Sequence, residues 1–311
     1  MNTKSCLPAT RRIFGTGAVL GLLLFSLNGW AQNLFVADGY NSKIYEYTPD
    51  GVQATFASGL SYPVGLAFDS AGNLYEADNG SGNIYKFTPG GVRTTFASGL
   101  VLPYSLAFDN TGNLFVGTYG ANAKIVKIDP TGTQILFASG LSTVTGLAFD
   151  SSGNLFESDF GSGQIFKFTP DGAKSAYVHG SVQLTGLAFD NAGNLFVGDA
   201  LNKSIYKIYP DLSVTTVASG LKLPLGLAFD NGGNLFFSEI QGNDIKEISS
   251  GGAQSVFASG AFVPYGIAFE PQAVPECSTL SLFSLGLCTL LVWRHRSNFR
   301  AWFSGAAATA T

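Results

Sequence analysis

The chain has 311 residues, of which 12% are charged, 46% are hydrophobic and 39 are glycine, and its formal net charge is −4. So much apolar material with so few charges excludes a disordered or coiled-coil chain, and the glycine content suits a turn-rich all-β domain. Residues 32–271 carry 11 Lys plus Arg against 20 Asp plus Glu, a net charge of −9, which repels phosphate backbones and argues against nucleic acid as a partner.

Residues 1–31 read as a signal peptide. Lys4, Arg11 and Arg12 precede an apolar stretch from Ala18 to Leu27, and Gly29 and Ala31 supply the small residues of a cleavage site after Ala31. Thr10 to Phe14 resembles a twin-arginine signal, and the same basic residues equally serve the general secretory route, so the export route stays open.

From residue 32 to 271 one unit recurs. The motif Gly-Asn-Leu-aromatic places asparagine at Asn73, Asn113, Asn154, Asn194 and Asn234, with Asn33 as a sixth member, at spacings of 40, 40, 41, 40 and 40 residues. Within one unit, Gly65 to Asp69 is a short buried run and Asp69 to Gly72 a turn in which glycine takes positive φ. Leu74 to Asp78, Ile84 to Thr88 and Arg93 to Ser98 follow as three more strands separated by turn signals. Four short strands per 40 residues, repeated six times, predict an all-β six-bladed β-propeller with four antiparallel strands per blade. Because the first unit lacks a leading strand, residues 266–270 should pair with the N-terminal blade and close the ring.

The second strands alternate large and small, as Phe35, Tyr75, Phe115, Phe156, Phe196 and Phe236 against Ala37, Ala77, Gly117, Ser158, Gly198 and Ser238, which lets adjacent blades interdigitate. The element Pro-x-Gly-Leu-Ala-Phe-Asp, together with elements like Gly-Asn-Leu-Tyr-Val-Ala-Asp (here Gly72 to Asp78, with Glu76 in place of Val) and like Ile-x-Lys-Phe-Thr-Pro-Asp-Gly, resembles NHL repeats and, more distantly, gluconolactonase-like propellers. The resemblance covers residues 33–270.

Two sets of acids invite a cation reading. Asp69, Asp109, Asp150, Asp190, Asp230 and Glu270 begin bottom turns, where capping of backbone N–H groups is the simpler role. Asp38, Asp78, Asp159, Asp199 and Glu239 end second strands near the top face and either cap loops or hold a cation or sugar hydroxyls. Glu76 and Glu157 break the repeat where Val36, Val116, Val197 and Phe237 stand, and they share a strand face with Asp78 and Asp159. A carboxylate at an apolar position needs a partner or a shifted pKa. An ion pair with Lys86 or Lys167 is the simplest expectation, and the four acids are the candidates for a divalent cation or an acid/base pair.

The resemblance to gluconolactonases implies a divalent metal held in the channel by Glu, Asn and Asp at the starts of inner strands. Those stretches here read SYPVG, VLPYS, STVTG, VQLTG, KLPLG and FVPYG, and none contains such a ligand. No catalytic residue is assigned and no cofactor is required. A streptogramin-lyase-like activity needs a channel-facing histidine, whereas His179 replaces a serine in an outer-strand element and His295 lies in the C-terminal basic cluster. The top links and loops instead offer Tyr62, Tyr104, Tyr265, Phe262, Gln183, Thr143 and Lys222, with Tyr40, Tyr119 and Phe160 outside them. Aromatic faces beside hydroxyls and carboxylates suit an extracellular glycan or peptide, and equally suit packing between loops.

After the repeats, residues 272–279 form a linker containing Val274, Pro275 and Glu276. The apolar run from Leu280 to Trp293 and the basic residues Arg294, His295, Arg296 and Arg300 follow, and 301–311 is a tail. As a helix the run reaches only about 21 Å against a hydrocarbon core of about 30 Å, which suits transient membrane association. The order of motif, apolar run and basic cluster resembles the PEP-CTERM sorting signal, departing from it at Cys277 and in the tail, and an ordinary C-terminal anchor is the alternative. The resemblance implies processing by an exosortase-type enzyme and placement at the cell envelope, cell surface or extracellular matrix. Function is thus expected to be a non-catalytic binding or structural propeller, with a metal-dependent lactonase-type hydrolase or a streptogramin-lyase-like enzyme as the alternative.

Overall fold

The inner and second strands of each blade, such as Pro63–Phe68 and Leu74–Asp78, bury successive residues and hence both faces, so every blade packs between two neighbours. The computed structural model describes residues 32–260 and 263–272 and shows six four-stranded antiparallel sheets arranged in a ring. The segment read as a signal peptide, the Val274-Pro275-Glu276 motif and the segments after it lie outside the described residues. Blade two is representative: an inner strand Pro63–Phe68, then Leu74–Asp78, Asn83–Phe87 and an outer strand Arg93–Ala97.

Ring closure occurs as the repeat phase requires. Pro264–Phe269 is the inner strand of blade one, pairing Leu34 with Phe269, Phe35 with Ala268 and Val36 with Ile267. Glu270 N–H extends the seam to Asn33 O at 3.0 Å, and the Gln32 amide donates to Glu270 O at 2.6 Å. Leu34–Asp38 is therefore paired on both sides, and Pro264–Phe269 becomes the channel-side edge of blade one, as the inner strand is in every other blade.

The bottom turns are built by their acids. Asp69 accepts from Ala71 N, Asn73 N and Asn73 Nδ2 at 2.8–3.0 Å, and Asp109, Asp150, Asp190 and Asp230 likewise bind the asparagine four residues on. Gly72 takes φ 78° there, a left-handed conformation that costs glycine nothing.

Blade-to-blade packing rests on the alternating second strand. Phe35 meets Phe56 of its own outer strand and Phe68 of the next blade's inner strand edge-on, at 4.9 and 5.1 Å. Tyr75, Phe115, Phe156 and Phe236 repeat that geometry. Such edge-to-face pairs add about 0.5–1.5 kcal/mol each beyond area burial.

Candidate functional site

Six inner strands converge on the axis, and their glycines set how closely. A Cβ on Gly65 would lie 2.2 Å from Tyr104 O, and one on Gly266 2.2 Å from Val64 O. Hydroxyls at neighbouring positions stitch the inner strands together: Thr145 Oγ1 donates to Leu184 O at 2.8 Å and Thr185 Oγ1 to Pro224 O at 2.9 Å. The channel therefore narrows to a cavity of about 90 Å³ walled by backbone, aliphatic side chains, Ser105, Thr145, Tyr104 and Tyr265. The divalent cation implied by the gluconolactonase resemblance does not fit this lining, because it supplies no carboxylate, imidazole or side-chain amide.

At the top mouth the structure brings four of the sequence candidates together. Tyr62 and Tyr265 are hydrogen-bonded hydroxyl to hydroxyl, with ring centres 5.3 Å apart. Tyr265 meets the Tyr104 ring edge-on at 6.5 Å, and Tyr104 packs on Tyr119 at 5.1 Å. Ring closure makes this possible: it sets the inner strands carrying Tyr265 and Tyr104 on either side of Pro63–Phe68. Burial, then the neighbouring phenols Tyr265, Tyr119 and Tyr62, hold the Tyr104 hydroxyl above the usual phenol range. Burial and the bond to Tyr62 do the same for Tyr265. Tyr62 and Tyr119 are 41% and 42% exposed, so the cluster offers two open rings backed by two half-buried ones.

Tyr62 sits at φ 62°, and the equivalent link residues Leu102, Gln183, Leu223 and Val263 are also left-handed. The carbonyls of Tyr62, Leu102, Gln183 and Leu223 each accept an N–H from the following top loop, at 2.9–3.2 Å, which holds the link in that otherwise unfavourable conformation. Gly39 was not singled out from the sequence, yet a Cβ there would lie 2.9 Å from Tyr265 Cε2. The signal was available: the other repeats carry Asn79, Tyr119, Phe160, Ala200 and Ile240 at that position.

Tyr40 is 76% exposed, and among the described residues neither Tyr40 nor Phe160 is in ring contact with the cluster. Phe160 serves through its backbone, donating to Thr143 O and accepting from Gln183 N. Phe262 lies outside the described residues. His179 ends the outer strand of blade four, away from the channel lining.

The top acids cap loops. Asp78 accepts from Ser61 N and Ser81 N, and Asp159 from Ser142 N and Ser162 N, at 2.7–3.1 Å. Asp38 and Asp199 bind the backbone and side chain of Asn41 and Asn202. Glu239 accepts from Lys222 N and pairs with Lys246 at 2.9 Å. Asp78 and Asp159 face inward, at 0% and 2% exposure.

Glu76 and Glu157 correct the expectation of an ion pair. Lys86 is the register partner of Tyr75, hence on the opposite strand face from Glu76. It lies 5.3 Å over the Tyr75 ring and pairs with Asp69 at 3.8 Å, while Lys167 lies over Phe156 at 5.4 Å. Both glutamates are 0% exposed, and none of their carboxylate oxygens has a hydrogen-bond partner among the described residues. Glu76 stands between Leu66 and Tyr85 of the apolar cluster joining blades one and two. Glu157 stands between Leu147 and Phe166 of that joining blades three and four. Burial, then Asp78, pushes Glu76 well above the usual carboxyl range against the pull of Arg93. Burial, then Asp159, raises Glu157 to about 9 against Lys174. The two glutamates are neutral acids in the interblade core, and among the described residues no three His, Cys, Asp or Glu side chains gather as metal ligands.

These features define a closed six-bladed β-propeller with a narrow channel and a tyrosine-rimmed mouth. Among solved structures the chain is similar to virginiamycin B lyase from Staphylococcus aureus, at 16% identity and a TM-score of 0.61 over 78% of this chain and 90% of the lyase. A candidate gluconolactonase matches at 19% identity and a TM-score of 0.62, over 73% of this chain and 86% of that one. A protein of unknown function from Bacteroides caccae matches at 17% identity and a TM-score of 0.60, over 78% and 100%. No family model and no curated protein sequence matches the chain. At these identities the likeness is one of fold.

Proposed function

We propose that this propeller is an exported, non-catalytic binding or structural protein of the cell envelope or extracellular matrix, presenting its top mouth to a neutral or cationic glycan or peptide. The observation that carries this reading is the Tyr62–Tyr265–Tyr104–Tyr119 cluster, where two exposed rings sit on two half-buried ones beside the channel. Aromatic faces cover sugar C–H surfaces or apolar side chains while their hydroxyls orient the ligand. The acid excess of residues 32–271 disfavours anionic polymers.

Export rests on the N-terminal segment, and surface placement on the sorting-type segment around Val274, Pro275 and Glu276. In this account the apolar run associates with the membrane only until an exosortase-type enzyme removes it. Intact mass of the native protein is expected to show loss of both ends, and recovery of a C-terminus at Thr311 counters the processing. An enzyme of lactonase or streptogramin-lyase type is the alternative, and its support is the shared fold of its structural neighbours. Turnover of a lactone or a streptogramin that a chelator abolishes would establish that alternative.

A further inference from the structure

Six links join the outer strand of one blade to the inner strand of the next. In four of them a leucine follows the glycine: Leu60, Leu100, Leu141 and Leu221. Each is buried at 9% exposure or less, and each belongs to the apolar cluster between the two blades it joins. The link from blade four to blade five reads Gly180-Ser181, and the buried cluster between those blades contains no link residue. In the link from blade six the position is Ala261, which lies outside the described residues.

The exchange rewires the link as well as shortening the side chain. Leu60, Leu100 and Leu221 donate their N–H groups to Ser42, Gly82 and Lys203 O, whereas at this link Gly180, one position earlier, donates to Gly163 O. The top acids of blades two, four and six accept the N–H of the residue after the leucine, from Ser61, Ser142 and Lys222. Asp199 instead accepts the Ser181 hydroxyl.

The missing plug leaves a cavity of about 240 Å³, walled by Val178, Leu184, Val197 and Ile208, with Ser181, Asp199 and the exposed His179 also on its surface. We propose that this cavity is a second binding site, for a small molecule with a branched aliphatic body and an amine head. Leu60, Leu100, Leu141 and Leu221 are buried in the corresponding clusters of four other links, and this apolar lining sets the body. The head is set by the Asp199 carboxylate and by the acid excess of the domain. Apolar protein cavities of about 150 Å³ take ligands the size of benzene. The site is separate from the tyrosine mouth and stands independently of the function proposed there.

The probe is 3-methylbutylamine, titrated into the purified protein while the methyl resonances of Val178 and Val197 and the His179 ring are followed. Saturable shifts are expected for the wild type. Ser181→Leu restores the plug, so it should raise Tm and weaken binding by at least about tenfold. Val197→Phe narrows the cavity from the opposite wall, using the residue type that Phe237 supplies at the equivalent position of blade six, and should weaken binding likewise. The absence of saturable shifts in the wild type, or undiminished shifts in either variant once folded, overturns the proposal.

Discussion

Glu157 and Phe166 face one another across the second and third strands of blade four, and the Lys174 ammonium lies 3.7 Å from the Phe166 ring centre. The nearby cation is thus held on an aromatic face while the carboxyl group stays unpaired. Glu76 and Tyr85 repeat the arrangement in blade two, with Arg93 5.0 Å from the Tyr85 ring centre. Val116 and Val197 stand in the apolar clusters at the equivalent position of blades three and five.

An acid that is neutral when folded and ionised when unfolded gives stability a defined pH dependence. Between the ordinary Glu value of 4.5 and the folded value of about 9, Glu157 binds more protons in the native state than in the unfolded state. Stability should therefore fall as pH rises through that window, by up to about 1.4 kcal/mol per pH unit for one such group. Glu76 acts in the same direction. At the acid end the sign reverses. Hydrogen bonds from Asn113 and Thr111 outweigh burial and hold Asp109 below its ordinary value, so protonating it below about pH 4 weakens the fold. Urea melts from pH 3 to 9 should place the maximum near pH 5. Glu157→Val should flatten the alkaline slope and raise stability at pH 8, and an unchanged slope would contradict the neutral-acid assignment.

Closure of the ring sets a second expectation. Truncation before Pro264 removes a strand whose ladder bonds contribute ~1 kcal/mol each, together with Ile267, buried to 6% exposure and contributing ~1.5–3 kcal/mol. That loss approaches the roughly 5–15 kcal/mol that stabilises a whole domain. The truncated protein should aggregate or unfold at ambient temperature, and a cooperative melt at the wild-type Tm would contradict the pairing.

The inner-strand glycines make a sharper test of the channel. Gly266→Ala would place Cβ 2.2 Å from Val64 O, a backbone atom that moves only with its strand, and should cost about 1–3 kcal/mol. Ser105 occupies the equivalent position of blade three and donates to Val144 O at 3.3 Å. Ser105→Gly should therefore cost only ~1 kcal/mol. Chemical denaturation of both variants measures the difference.

The blade was legible because its determinants are local: Asp69 and Asn73 build a turn within five residues, and the period repeats it six times. That Glu76 lacks an ion pair with Lys86 was not legible, because the register that sets Lys86 opposite Tyr75 decides which face the lysine occupies. Tyr62, Tyr104, Tyr119 and Tyr265 were readable as top-face residues. Their union was not, since Tyr62 and Tyr265 lie 203 residues apart and meet only once the ring closes. Ser181 broke a visible Gly-Leu pattern, but the cavity it opens depends on how the neighbouring blade packs.

The measurement that bears most directly on the proposed function is a set of binding isotherms on immobilised chitosan oligosaccharide, a neutral β-glucan oligosaccharide and a lysine-rich peptide. The account predicts saturable binding to at least one of them, weakened about tenfold by Tyr104→Ala or Tyr265→Ala and unchanged by Asp171→Ala, a residue of the bottom turn between Gln164–Phe168 and Lys174–His179 that accepts from the Thr169 hydroxyl. Saturable binding that survives both tyrosine replacements in folded protein, or that Asp171→Ala abolishes, would contradict it, as would the absence of binding to all three.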